Sequence, residues 1–248
     1  MSVACHTVGG MEMLPLFETP EWSHRVGVFD LETTGVDVAA DRIVTAHVGV
    51  IDAAGTVVQA LDWLADPGVP IPEGATAVHG VTTAHARTHG RRAAEVAAEV
   101  TRALRALFAA GIPVVAYNAP FDFSLLRHEC RRHGVAEIAR PEPVIDPLVI
   151  DKAFDRYRPG KRTLTEVAAH YAVRLDGAHE AASDAVAAGR VALALAERFG
   201  PNLPATVAEL HTSQIGWARD QAESLTEYFI RIGRIEPADR LDGSWPIR

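Results

Sequence analysis

Four acidic residues stand in three short motifs. Asp30 and Glu32 lie in Phe29-Asp30-Leu31-Glu32-Thr33-Thr34-Gly35, Asp122 in Tyr117-Asn118-Ala119-Pro120-Phe121-Asp122, and Asp184 in His179-Glu180-Ala181-Ala182-Ser183-Asp184. Gathered in one pocket, four carboxylates repel one another unless cations sit among them. Hard divalent ions with oxygen ligands meet that need, and a pair of such ions serves in-line attack on a phosphodiester.

Each motif has a bland reading beside the chemical one. Asp30 and Glu32 are two apart on an expected strand, so they share one face; alone they would read as a solvated strand end. The preceding apolar run and the following Thr33-Thr34-Gly35 favour the chemical reading, because small residues with free backbone N–H groups let a terminal ribose approach closely. Asp122 falls in the first turn of an expected helix, where a carboxylate gains from the helix dipole without any metal. Phe121 reads as a core residue more readily than as a stacking platform. His179, five residues before Asp184, is suited to accept a proton from water, whereas a lone loop histidine among 11 is ordinarily just exposed.

The elements that must position these groups follow from periodicity and turn chemistry. Strands are expected from Arg25, over Ile43 to Ile51 and over Thr56 to Leu64, as an antiparallel meander. Pro67 to Gly74 reads as loop, and a helix spans Arg91 to Ala109. Val114 to Tyr117 and Val144-Ile145 form short strands. Helices cover Pro120 to His133, Pro147 to Ala153, Thr163 to Tyr171 and Ala181 to Phe199. After the Gly200–Pro204 break, Val207, Leu210, Gln214, Trp217, Gln221, Leu225, Tyr228 and Ile232 recur at helical spacing and make a C-terminal amphipathic helix. This order predicts a mixed α/β sheet of five strands flanked by helices. Residues 1–22 lack periodicity and read as a flexible arm, with Met11 and Met13 as alternative starts.

A chain of 248 residues, 48% hydrophobic and 23% charged, reads as globular with one main core. No apolar run approaches the roughly 18 residues of a membrane span, and the first residues lack a secretory pattern. Cys5 and Cys130 match no metal spacing, so a reduced, cytoplasmic chain is expected. The net charge of −8 argues against strong non-specific affinity for duplex nucleic acid. The most basic stretch is Arg156 to Arg162. It reads slightly better as a solvated loop than as a phosphate contact, yet it is the first place to look for a strand grip.

The three motifs, in this order, resemble those of the DEDDh family of 3′→5′ exonucleases, the group containing the proofreading ε subunit of bacterial DNA polymerase III. The resemblance covers roughly residues 23–200, leaving 201–248 as a helical extension, and includes Ile71 to Thr82. The tyrosine branch of the superfamily would place Tyr where Glu180 stands, so the histidine branch fits. The resemblance implies a ribonuclease H-like fold and two divalent cations, Mg²⁺ or Mn²⁺. Asp30, Glu32 and Asp184 would hold one ion, and Asp30 with Asp122, acting through water, the other. His179 would be the general base. Leu31, Thr33, Thr34, Gly35, Asn118, Phe121, Val78 and His79 correspond to positions beside the substrate.

The expected substrate is the 3′ end of single-stranded DNA, with release of nucleoside 5′-monophosphates, in repair or nucleotide turnover. RNA ends are the second reading, since a 2′-hydroxyl pocket cannot be read from sequence. A non-catalytic nucleic-acid-binding module is the third, disfavoured by the full set of acids. Residues 222–229 only faintly resemble a sliding-clamp peptide, so clamp or polymerase association is weakly supported; the extension is expected to pack on the domain or across a homodimer.

Overall fold

In the computed structural model, residues 19–175, 177 and 179–248 are described. The arm expected for residues 1–22 therefore lies mostly outside them, as does Cys5. Its last residues are ordered differently from that expectation: Glu21–His24 form a 3₁₀ turn in which Trp22 is buried.

Arg25–Thr33 (β1) is nearly continuously apolar up to Phe29 because both its faces are covered. It pairs antiparallel with Ile43–Asp52 (β2), which in turn pairs antiparallel with Val57–Asp66 (β3). Two short helices follow, Glu73–His79 (α1) and Thr83–His89 (α2), then the two-residue strand Arg91–Arg92 (β4) and the helix Ala93–Ala109 (α3). Val114–Val115 (β5) runs parallel to β1, and Val144–Ile145 (β6) parallel to β5. Between them lies Ala119–His133 (α4); Pro147–Phe154 (α5), Leu164–His170 (α6), Ala181–Phe199 (α7) and Val207–Arg231 (α8) complete the chain. The sheet has six strands in the order β4-β3-β2-β1-β5-β6. The mixed, helix-flanked sheet is as expected.

Three local expectations change. The sixth strand is β4, paired with Ala65 and Asp66 of β3, so the helix begins at Ala93 rather than Arg91. Within the expected Pro67–Gly74 loop, α1 already starts at Glu73. Beyond it α2 is capped by the Thr82 hydroxyl, which accepts the His85 N–H at 3.1 Å.

Alternation along β1 divides the core. Phe29 and Leu31 join one apolar cluster with Val100 and Leu104 of α3 and Phe123 of α4. Val26 and Val28 join the other with Val191 and Leu195 of α7. Gly189 sets how closely α7 approaches. A Cβ there would lie 2.5 Å from Val28 and 2.7 Å from Ile51, so only glycine lets the helix rest on β1 and β2. That contact holds Asp184, one turn and a half earlier on α7, above the end of β1.

The C-terminal residues close the β6 edge, which would otherwise expose unpaired backbone groups. Gln214 of α8 accepts the Asp146 N–H at 2.7 Å and donates to the Val144 carbonyl at 3.0 Å. His211 accepts the Val144 N–H at 3.1 Å. Past α8 the chain returns over the domain: Trp245 is 6% exposed, and the Arg248 N–H donates to Ser124 Oγ at 2.8 Å. The extension thus packs against the domain, one of the two arrangements expected. Among the described residues no helix is long and apolar enough to cross a membrane.

Candidate active site and metal centre

Three chain segments converge at the C-terminal end of β1. Asp30 and Glu32 project from the strand on its α7 side, with Leu31 buried between them. The β1–β2 register shifts between Glu32 and Thr33, an irregularity of the kind that re-aims side chains beside sites. Asp122 enters from the first turn of α4, 3% exposed, and its Oδ1 accepts the Leu31 N–H at 3.1 Å. Asp184 enters from the first turn of α7. One ligand atom each from Glu32, His179 and Asp184 lies within 4.8 Å of the others.

Among the described residues no lysine or arginine pairs with these four carboxylates. Burial, followed by the charges of Asp122, Glu32 and Asp184, pushes the Asp30 carboxyl well above the usual carboxylate range. Burial likewise raises Asp122 strongly, against the opposing pull of the Leu31 N–H. Glu32 is pushed up to about 7, first by burial and then by Asp184. Asp184 is raised by burial while the His179 N–H holds it down. Its Oδ2 accepts that N–H at 3.2 Å; its Oδ1 is buried without a hydrogen-bond partner. A buried carboxylate oxygen left unpaired is costly. The donor set is all carboxylate plus one imidazole, with one carboxylate oxygen left unpartnered. These residues fit hard divalent cations.

His179 has φ of 70° and is exposed, so its ring extends from a left-handed turn held to α7 by its own N–H. His79 closes α1 and is partly buried. Its Nδ1 accepts the Val81 N–H at 3.1 Å, which puts the proton of a neutral ring on Nε2. That Nε2 is buried and unpartnered, although the Thr33 carbonyl beside it favours the charged form; burial outweighs this and lowers the His79 pKa. Val78 beside it is 51% exposed.

The small residues after Glu32 differ from expectation. The Thr34 N–H is not free: it donates to the Arg42 carbonyl at 3.0 Å. The Thr34 hydroxyl donates to Asp41 at 2.7 Å, and the Thr33 hydroxyl to the Gly35 carbonyl at 2.6 Å. Both threonines are buried. A Cβ on Gly35 would strike the Asp41 carboxylate at 2.5 Å. The segment is therefore a rigid turn locked by Asp41. Phe121 is part-buried and packs against the cluster containing Phe123.

Asp146 carries no motif, yet it organises the site. Its carboxylate accepts the N–H groups of Asn118 at 3.0 Å, Ala119 at 2.9 Å and Leu148 at 3.0 Å, and the Trp245 indole N–H at 3.2 Å. Asn118, at φ 62°, adopts the left-handed conformation that Asn tolerates, and Asp146 fixes it there. The only sequence signal was Asp-Pro at a strand end, an N-cap signature. The basic stretch also divides: Arg158 and Arg162 pair with buried Asp151, while Arg156 and Lys161 stay exposed.

Residues 28–192 match the family model described as "Exonuclease". The chain belongs to this family, and with it to the phosphodiester hydrolases. Among similar proteins, a DNA polymerase III subunit epsilon-like protein of Rhodobacter capsulatus is 38% identical over 137 residues, 54% of this chain and 18% of that protein. DNA polymerase III PolC-type of Lacticaseibacillus paracasei is 32% identical over 169 residues, 68% of this chain and 11% of that protein. The fold is similar to E. coli exonuclease I in complex with a dA16 oligonucleotide, with TM-score 0.59 and 21% identity over 71% of this chain and 42% of that one. The chain thus spans less than a fifth of these curated relatives.

Proposed function

We propose that the protein is a 3′→5′ exonuclease that removes nucleoside 5′-monophosphates from the 3′ end of single-stranded DNA. The observation that carries this reading is the convergence of Asp30, Glu32, Asp122 and Asp184 with no lysine or arginine paired to them among the described residues and with the Asp184 Oδ1 unpaired. Asp30, Glu32 and Asp184 would hold one divalent ion, and Asp30 with Asp122 a second, Mg²⁺ or Mn²⁺. Such a pair supplies Lewis-acid stabilisation of the attacking and leaving oxygens.

The chain's own groups do the rest. His179 accepts the proton of the attacking water; its exposed position lets that proton pass to solvent. His79, with its proton on Nε2, donates to the terminal nucleotide, and Val78 packs on it. Leu31, Phe121 and Asn118 flank that nucleotide, and Thr33, Thr34 and Gly35 give the rigid wall that orients it. The R. capsulatus and L. paracasei relatives are named as polymerase III proteins, which supports action on DNA in repair or proofreading.

Digestion of a 3′-labelled DNA oligomer and its RNA counterpart, with Mn²⁺ and with chelator, tests the reading. Metal-dependent release of mononucleotides from DNA is expected. Preferential trimming of the RNA oligomer would move the assignment to an exoribonuclease, and no cleavage with any divalent ion would reduce the protein to a binding module.

A further inference from the structure

The stripe of α8 seen in the sequence is covered only in its first half. Leu210 and Gln214 are buried, but Leu225 is 42% and Tyr228 45% exposed. These uncovered residues form one wall of a groove of about 680 Å³, whose other wall is the end of α5 and the basic loop. Its lining holds four cations, Lys152, Arg156, Arg162 and Arg231, against two carboxylates, Asp220 and Glu227; Arg162 is already paired with buried Asp151, which leaves three cations against two. That is a local surplus of positive charge on a chain of net charge −8.

The groove extends toward the start of α4. A neighbouring cavity of about 300 Å³ shares Lys152, Gln221 and Leu225 with it and is lined by Asn118 and Pro120, at the start of the helix that carries Asp122. Aromatic rings accompany the charges. The Arg231 guanidinium lies 5.4 Å from the Tyr228 ring centroid, and Arg156 lies 5.8 Å from that of Tyr157, which is 89% exposed. Neither arginine has a carboxylate partner among the described residues. Arg158 and Arg162, by contrast, are anchored to Asp151 and stiffen the loop. Tyr157 stands beside the groove and Tyr228 in its wall; cations together with π-faces are what an unpaired strand requires, phosphates on the one and bases on the other.

We propose that this groove binds the single-stranded segment behind the 3′-terminal nucleotides. The proposal rests on the exonuclease reading for its placement, because a neighbouring cavity that reaches the start of the helix bearing Asp122 favours nucleic acid over an acidic protein. From Gln221 to Arg231 the α8 wall is about 15 Å long, the span of about four stacked nucleotides.

The test uses the full chain and the triple variant Arg156→Ala, Tyr228→Ala, Arg231→Ala. Binding of fluorescein-labelled dT12 is followed by anisotropy in EDTA, which needs no catalysis. The variant is expected to bind at least tenfold more weakly, with a salt slope smaller by about 1.4 for two lost phosphate contacts. Tyr228→Phe alone, which keeps the ring, should bind as the wild type does. With Mn²⁺, the variant should raise KM for dT12 while leaving dT3 and thymidine 5′-(p-nitrophenyl phosphate) hydrolysis unchanged. Unaltered dT12 affinity, no dT12 binding by the wild type, or equal losses on dT3 and dT12 would overturn the groove. Wild-type protein that binds dT12 but cleaves no substrate would sink the exonuclease reading and leave the groove standing.

Discussion

Two groups of acids lie in the interior of this chain and meet opposite fates. Asp151 on α5 is fully buried; Arg158 donates to it at 2.7 and 2.9 Å, Tyr171 at 2.8 Å, and Arg162 completes the set. Asp122 is also withdrawn from water and Asp184 partly so, yet their surroundings are other acids, one or two backbone N–H groups and, for Asp184, the exposed His179. The fold can neutralise a buried carboxylate with its own arginines, and it does so at Asp151. At the motifs it does not. A buried charge without a counter-charge is tolerated where something external supplies it, and the contrast separates a structural acid from a functional one better than burial does.

The comparison breaks most sharply on substitution. Asp30→Ala or Asp184→Ala should abolish digestion of a 3′-labelled oligomer, by about 10³-fold or more, while circular dichroism stays native. Full activity in either variant would end the metal-centre reading. His179→Ala should lower kcat by about 10²–10⁴-fold, and a wild-type rate at neutral pH would remove His179 from its role. Asp151→Ala should do the reverse of the first pair. It leaves Arg162 without a carboxylate and Arg158 with Asp155 alone, and should cost about 3–5 kcal/mol in urea unfolding, with activity per folded molecule retained.

A smaller effect concerns pH. Glu32 is held near 7 in the metal-free fold against an ordinary 4.5. A raised folded-state pKa contributes stability below the unfolded value and loses it as pH climbs through the folded one. In chelator, therefore, the stability of the wild type relative to Glu32→Gln should fall between about pH 4.5 and 7. Mn²⁺ should reverse the fall. Melting curves of the two proteins across that range, with and without Mn²⁺, check the sign.

Much of this was legible in the sequence because it is local. Asp30, Glu32, Asp122 and Asp184 sit in motifs flanked by apolar runs, and the order of strands and helices follows from periodicity. The capping box of Thr206 and Glu209 opens α8 where the pattern predicted a helix. What escaped depends on distant pairing. β4 exists only because Arg91 and Arg92 meet Ala65 and Asp66. Only the fold reveals that the Thr34 hydroxyl is bound to Asp41, seven residues on. Arg158 and Arg162 are indistinguishable from Arg156 in a basic run; only the fold reveals which of them faces Asp151. Trp245 stands in irregular chain with no period to mark it, and its burial against His211 could not be foreseen.

The docking of Arg248 bears on how the protein is handled. Its N–H meets Ser124 and its carbonyl meets Arg127, both on the helix that presents Asp122. A purification handle fused after Arg248 would leave the surface directly over that helix, tugging on Trp245 and, through Asp146, on the turn at Asn118. Assays of this nuclease should therefore compare such a fusion with protein from which the handle has been cleaved.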